Sequence, residues 1–312
     1  MELIDRITHR LKVRDLRLLD AVVRTRSMAK AARQLNVSQP AVSKAIVELE
    51  RAFDVQLLHR SRQGIEPTDY GRALLQCGVA VLDQIQQGVR TIESLRDPAV
   101  GEVRIGSSAF LAVSFASTVV DRLSRRYPRI VFHLITAPAG MLYRELNTRN
   151  LDLVITRKFG SAADEKLDFE ALFDDSFVVA AGAQNKWARR RKIRLGDLVD
   201  EPWVLPPAES VITSVATEAF RASGLQAPHP TVIAFAPETR MAVLAFGRYL
   251  SIFPTSVLRF PTRRADIKVL PVELPVPRTP TGIVTLKNRT LNPAARLFID
   301  SAREVAKPLA KL

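Results

Sequence analysis

Residues 27–53 read SMAKAARQLNVSQPAVSKAIVELERAF, and this stretch spells two helices and the turn between them. Ser27 is a good cap for a helix N-terminus, and the Ala-rich run Met28 to Leu35 behind it favours a short helix. Asn36 follows, one of the few non-glycine residues that enters the left-handed region at little cost, as a tight helix-to-helix turn requires. Ser38 caps a second helix, with Pro40 in its first turn, where a missing N–H removes nothing. Val42, Ile46, Leu49 and Phe53 then recur at steps of four, three and four, so one stripe of that helix is buried. Gln39, Ser43 and Lys44 fall on the opposite face near its start. Upstream, Leu16, Leu19 and Val23 repeat at helical spacing between Arg14 and about Thr25.

Two helices joined by a turn of three or four residues form a helix-turn-helix. In its DNA-binding form the second helix lies in the major groove and reads base edges through its N-terminal residues. Gln pairs with adenine, Ser with several bases, and Lys with guanine or phosphate. Spacing alone leaves a plain three-helix bundle with a solvated face equally open. After Phe53, Val55-Gln56-Leu57-Leu58 and the pair Arg60 and Arg62, leading to Gly64-Ile65, suggest a two-stranded wing whose arginines suit a minor groove.

The whole chain has 312 residues, with 46 Lys and Arg against 32 Asp and Glu, a net charge of +14. That length implies two or three compact units. A single cysteine, Cys77, excludes a disulfide framework and a multi-cysteine metal site, and fits a reducing compartment. Its expected role is packing. The charged N-terminus has no apolar signal core, and the uncharged run between Arg104 and Asp121 has only 16 residues, below the ~20 that a membrane span needs. The expected setting is therefore the cytoplasm, with no membrane partner. Residues 1–62 carry 13 basic and 7 acidic side chains and residues 257–312 carry 11 and 4, while the middle is nearly balanced. A clustered excess is the footprint of nucleic acid, and only the first cluster comes with a scaffold to present it.

The stretch from Arg26 to Leu75 resembles the winged helix-turn-helix of LysR-type transcriptional regulators. The likeness is carried by Ala31-Ala32, by Ser38-Gln39-Pro40-Ala41-Val42-Ser43, by Leu57-Leu58 ahead of Arg60, and by Thr68 and Gly71 in the family's Thr-x-x-Gly entry to the next helix. The resemblance implies double-stranded DNA as partner. Gln39, Ser43 and Lys44 would then read bases, and Arg33, Ser38, Arg60 and Arg62 would hold the backbone or minor groove, with Pro40 opening the reading helix.

Thr68 caps a helix that runs without proline to Arg96 and stops before Asp97-Pro98. Leu75, Leu82 and Val89 repeat every seven residues, and Ile85 and Ile92 fall three after the last two. That alternation is a coiled-coil seam, although a helix packed on its own domain would show a similar stripe. In the LysR-type family this is the dimerisation helix, and the resemblance implies a homodimer or a homotetramer built from dimers. Gly71, Gly78 and Gly88 lower helix propensity and suit close approach or a bend.

From Gly101 the pattern changes to short β-branched runs alternating with helical stretches. The strands expected are Val103–Ile105, Ile130–Ile135, Leu151–Thr156, Phe177–Ala181, Val232–Phe235, Tyr249–Phe253, Ile267–Val272 and Gly282–Leu286. The helices expected include Ala109–Tyr127, Pro237–Phe246 and Pro293–Ala306. Such alternation implies a mainly parallel sheet with helices on its faces, in two lobes, with Pro271, Pro275, Pro277 and Pro280 marking an extended crossing. This part resembles the family's effector-binding domain, of periplasmic-binding-protein-like architecture, through 101–106, 151–155, 202–205 and 292–300. Arg248-Tyr249 departs from the family's usual Gly-x-Gly and points to a differently shaped hinge or cleft.

Small ligands in such folds bind where strand ends and helix N-termini converge between lobes. Ser107 and Ser108 follow the first strand, Arg157 ends the Leu151 strand and suits a carboxylate, and Ser210 opens a helix of the second lobe. These four are the expected effector contacts, and the ligand class is an anionic or polyhydroxylated metabolite. Simple capping and solvation remain open for each. The Arg189-Arg190-Arg191-Lys192 run could serve as a nucleic-acid patch, but it lies far along the chain from the reading head and reads rather as a solvated loop. His9, His59, His133 and His229 lack ligand spacing, and no phosphate loop or nucleophile elbow is present, so no metal, cofactor or enzymatic activity is expected.

The expected architecture is thus multidomain. A winged helix-turn-helix covers 1–67, a dimerisation linker helix 68–97, and an α/β two-lobed effector domain 98–312, with lobe I about 102–174 and 278–312 and lobe II about 175–277. The expected function is sequence-specific DNA binding modulated by a small effector, with RNA polymerase a further partner that the resemblance allows. The alternatives are an architectural DNA-binding protein without a metabolite switch and an enzyme on the same fold.

Overall fold

The computed structural model describes residues 7, 11–61, 64–97, 100–158, 165–259 and 266–309. The chain divides into Met1–Leu95 and Arg96–Leu312.

The first unit opens with α1 (Val13–Thr25), α2 (Met28–Gln34) and α3 (Gln39–Phe53). Ser27 Oγ accepts from the Lys30 N–H and Ser38 Oγ from the Ala41 N–H, both at 3.3 Å, so each serine caps its helix. Asn36 takes the left-handed turn at φ 53°. Leu16, Leu19, Val22, Ala31, Val42, Ile46 and Leu49 close one core, and each large aliphatic side chain removed from water contributes about 1.5–3 kcal/mol. Beyond α3, the Glu50 carboxylate accepts the backbone N–H groups of Leu57 and Leu58 at 2.9 and 3.2 Å. It thereby ties α3 to a hairpin of β1 (Leu58–Ser61) and β2 (Gly64–Pro67), the wing.

Thr68 joins the wing to α4 (Asp69–Arg96). Its hydroxyl donates to the Gln56 carbonyl at 2.7 Å and accepts the Gly71 N–H at 3.0 Å. A Cβ at Gly71 would collide with the Leu57 carbonyl oxygen, and one at Gly78 would press on Leu16, so both glycines serve close approach; Gly88 faces open space. Leu75 is half-buried against the core of this unit and Leu82 is half-buried, whereas Ile85, Val89 and Ile92 are exposed. Cys77, expected to pack, is exposed instead.

The second unit carries strands β3 (Val100–Ser107), β4 (Arg129–Thr136), β5 (Leu153–Arg157), β6 (Leu167–Asp175) and β7 (Phe177–Gly182). Further along come β8 (Trp203–Leu205), β9 (Pro230–Ile233), β10 (Leu250–Pro254), β11 (Ile267–Val269) and β12 (Thr279–Leu286). They form two five-stranded sheets, β4-β3-β5-β12-β6 and β11-β7-β10-β8-β9, each covered by its own helices and core. The helices are α5 (Ala109–Leu111), α6 (Ser117–Arg126), α7 (Ala139–Asn147), α8 (Val211–Ala222), α9 (Pro237–Ala245), α10 (Thr255–Arg259) and α11 (Pro293–Ala306). Between α5 and α6 the backbone widens into a π-helical turn, Ala112–Ala116, where a uniform helix was expected.

The sheets are mixed, which corrects the expectation of mainly parallel pairing. β3 pairs in parallel with β4 and β5, and β8 with β9 and β10; β12 is antiparallel to β5 and β6, and β7 to β10 and β11. Helical crossovers supply the parallel pairs, while the strands next to the crossings between lobes enter without one and so run antiparallel. The lobes join through Ser176 and through the extended, proline-rich segment 270–278. In the first lobe the buried pair of Arg289 Nη2 and Asp152 Oδ1, at 3.2 Å, staples β5 to the segment after β12; Asp152 also accepts the Arg104 N–H at 2.9 Å.

Candidate functional site

In the first unit, Val42, Ala45, Ile46 and Leu49 point α3 into the core. Helical geometry then turns positions 39, 43 and 44 outward. Gln39 and Lys44 are exposed and Ser43 is half-buried, with Pro40 exposed beside them in the first turn. The Ser38 hydroxyl oxygen is taken by its cap, which leaves the hydroxyl hydrogen to donate. Lys44 Nζ has only a loose exposed pairing, 3.9 Å to Glu48 Oε1. Arg33 is exposed on α2 and Arg60 on the wing, whereas Arg62 lies outside the described residues. The unit offers one polar, positively charged face around a helix N-terminus, which suits phosphate and base edges.

In the second unit, a cavity of about 470 Å³ lies between the lobes. Its walls come from the ends of β3, β4 and β5 in one lobe and from the segments after β8 and β9 in the other, and all but β5 lead into a helix N-terminus. Ser108, Arg157 and Ser210 line it. Ser107 does not: it is wholly buried and donates to the Ser108 carbonyl at 3.2 Å. The Ser108 N–H is engaged by the Ile155 carbonyl at 3.2 Å, while its buried hydroxyl has no partner. Ser210 caps α8 by accepting the Ile212 N–H at 3.3 Å.

Arg157 departs from the role expected of it. Its Nη2 lies 2.8 Å from Asp175 Oδ2, and both side chains are buried, so the chain itself supplies the carboxylate that a ligand was expected to bring. Asp175 also accepts the Ser256 N–H at 3.0 Å and the Ser256 hydroxyl at 2.6 Å. Asp175 ends β6 in one lobe and Ser256 opens α10 in the other, so the network runs from the cleft wall to the crossing between lobes. Arg248 and Tyr249, expected to reshape the cleft, do not line it; the guanidinium stacks on the neighbouring Tyr249 ring at 5.1 Å.

The most unusual group in the cleft was not foreseen. Arg240 is fully buried, with its guanidinium carbon 4.5 Å from the Phe110 ring centre and 5.3 Å from that of Phe253. Its hydrogen bond to a backbone acceptor is long, Nη1 to the Ile252 carbonyl at 3.5 Å, and Nε and Nη2 have no partner among the described residues. Burial pushes its pKa down to about 10, with Glu238 pulling weakly the other way, so it stays charged at neutral pH. The sequence held a signal: Pro237, Arg240, Met241 and Leu244 share the buried face of α9, and Arg240 interrupts an apolar stripe.

The bacterial regulatory helix-turn-helix family of lysR type matches residues 13–72, and the LysR substrate binding domain matches residues 96–307. The chain belongs to the LysR family. GbpR of Azospirillum brasilense, a transcriptional regulator, is 26% identical over 94% of this chain and 86% of its own length. PcaQ of Agrobacterium fabrum, also a transcriptional regulator, is 26% identical over 97% of both chains. Among solved structures, a full-length OxyR variant from Pseudomonas aeruginosa superposes with a TM-score of 0.68 at 22% identity, covering 97% of this chain and 98% of that one. Full-length CbnR in complex with its target DNA gives 0.55 at 21% identity, covering 95% and 100%. As a LysR-type transcriptional regulator, the protein pairs a DNA-binding helix-turn-helix with an effector-binding domain, and the family is one of regulators. Among the described residues, no helix is long and apolar enough to cross a membrane, and no cluster of His, Cys, Asp and Glu is placed to hold a metal ion. The stretch 189–192 is exposed, with Arg189 closing a 3-10 turn, Lys186–Arg189.

Proposed function

We propose that this LysR-type regulator binds DNA sequence-specifically through Gln39, Ser43 and Lys44, with Arg33, Ser38, Arg60 and Arg62 on the backbone or minor groove, and that a small effector in the interlobe cleft modulates that binding. The observation that carries the reading is the outward face of the first turns of α3, held in place by the buried stripe behind it. Ile85, Val89 and Ile92 on α4, with Leu82 beside them, form the seam for a second copy, and two such dimers make a tetramer. Ser108 and Ser210 are the effector contacts that the cleft supports, with Arg157 beside them held in its ion pair with Asp175. The regulator acts in the cytoplasm, where its DNA lies, and RNA polymerase is its partner at the promoter.

Footprinting of the full-length chain on the DNA flanking its own gene, with and without a compound shown to bind the cleft, tests this. The expected result is a discrete protected site whose extent changes with the compound. Uniform protection that ignores the compound would make the protein an architectural DNA binder instead.

A further inference from the structure

We infer that the cleft takes a small monocarboxylate with an apolar body, its carboxylate seated on Arg240. This rests on the cleft being the effector site. A buried guanidinium without a carboxylate partner is expensive in a folded protein, because neither water nor a counter-charge replaces the solvation it has lost. Arg240 is wholly buried, lines the cleft, and holds two nitrogens without acceptors among the described residues. Phe110 and Phe253, edge to face with each other, lie within cation–π distance of it but accept no hydrogen bond of the strength a carboxylate offers. The group that completes the site is therefore a planar anion entering from the cavity.

The rest of the cavity sets the charge and body of that anion. Arg157, the other cleft arginine, is already neutralised by Asp175. Glu209 lines the cleft, and Glu238, outside the lining, already acts electrostatically on Arg240, so a second negative charge on the ligand would meet repulsion. One negative charge fits, and a dicarboxylate or phosphate ester does not. Ala137, Pro138, Pro206, Val211 and Phe235 supply carbon surface, and about 470 Å³ suits a compact organic acid. The unpartnered Ser108 hydroxyl is placed to bond a polar substituent on that body.

The test uses the full-length chain and its Arg240→Met and Arg240→Lys variants. Thermal shift and calorimetry would be run with benzoate, hexanoate, succinate and phenyl phosphate, with benzamide and hexanamide as uncharged counterparts, and with neutral sugars. The expected result is that at least one monocarboxylate raises the Tm and binds at least tenfold more tightly than its amide and than the dianions. Arg240→Met should abolish that binding while leaving the unliganded Tm equal or higher, since it removes an unpaired buried charge; Arg240→Lys should retain part of it. Acid and amide binding alike, unchanged binding to Arg240→Met, or a lower unliganded Tm in that variant would overturn the inference. Binding of sugars but of no acid would overturn it too, yet leave the cleft as effector site. Failure of every compound would count against the cleft reading itself.

Discussion

Arg157 and Arg240 show how differently one residue type behaves on two walls of one cleft. Arg157 is held by Asp175, which in turn holds Ser256 across the crossing between lobes. Replacing Asp175 by Asn leaves that guanidinium buried and unpaired, an effect of about 3–5 kcal/mol in other proteins. Chemical denaturation of Asp175→Asn should show a loss of that size, and the double variant with Arg157→Met should recover part of it. A loss below about 1 kcal/mol would mean that the pair is solvated rather than buried. Neither arginine's environment was legible at the residue scale. Arg157 follows a strand, so its position in the cleft was readable, but its partner lies 18 residues away on a strand not foreseen. Arg240 was hidden because an arginine on a helix is ordinarily solvated; only its place among Pro237, Met241 and Leu244 marks it as buried.

Elements were readable wherever one physical signal dominated. Caps, a left-handed asparagine and a clean apolar stripe specified α1, α2 and α3 to within a residue or two, and Pro293–Ala306 is the helix its amphipathic pattern predicts. β6 was missed although Leu167, Phe169, Ala171 and Phe173 alternate with polar residues, because acidic groups crowd it and a bulge opposite Thr281 and Gly282 breaks the alternation at Leu172. Pairing direction is also absent from local pattern, since it depends on which crossing delivers each strand. For α4 the exposed stripe makes a sharp claim. Ile85→Asp combined with Val89→Asp should lower the oligomer's mass by at least half in light scattering with helical content retained; an unchanged mass would remove α4 from the interface. The glycines of α4 differ in the same measurable way. Gly71→Ala meets the Leu57 carbonyl and should destabilise by about 1–3 kcal/mol. Gly88→Ala meets nothing and should stabilise by up to about 1 kcal/mol in urea unfolding. Equal effects at the two sites would contradict the packing described.

For the molecule as a whole, the net charge of +14 was the weakest guide and the spacing from Ser38 to Phe53 the strongest. Charge advertises affinity for phosphate without saying where DNA sits, and the excess in residues 257–312 accompanies no reading helix. The effector half follows the reverse logic: its two-lobed α/β architecture was legible, though its pairing directions and β6 were not, and the ligand chemistry inferred for its cleft rests on Arg240, whose burial only three-dimensional packing exposes. Recognition is the claim on which the rest depends. It is tested most directly by selecting fragments of the source genome on the purified full-length chain at about 0.15 M salt, and repeating the selection with Gln39→Ala combined with Lys44→Ala. The expected result is one recurrent sequence of two related half-sites, spaced by about one helical turn or a multiple of it, which the double variant no longer enriches. Enrichment of no sequence by the native chain, or of the same sequence by the variant, would contradict the assignment of α3 as the reading helix.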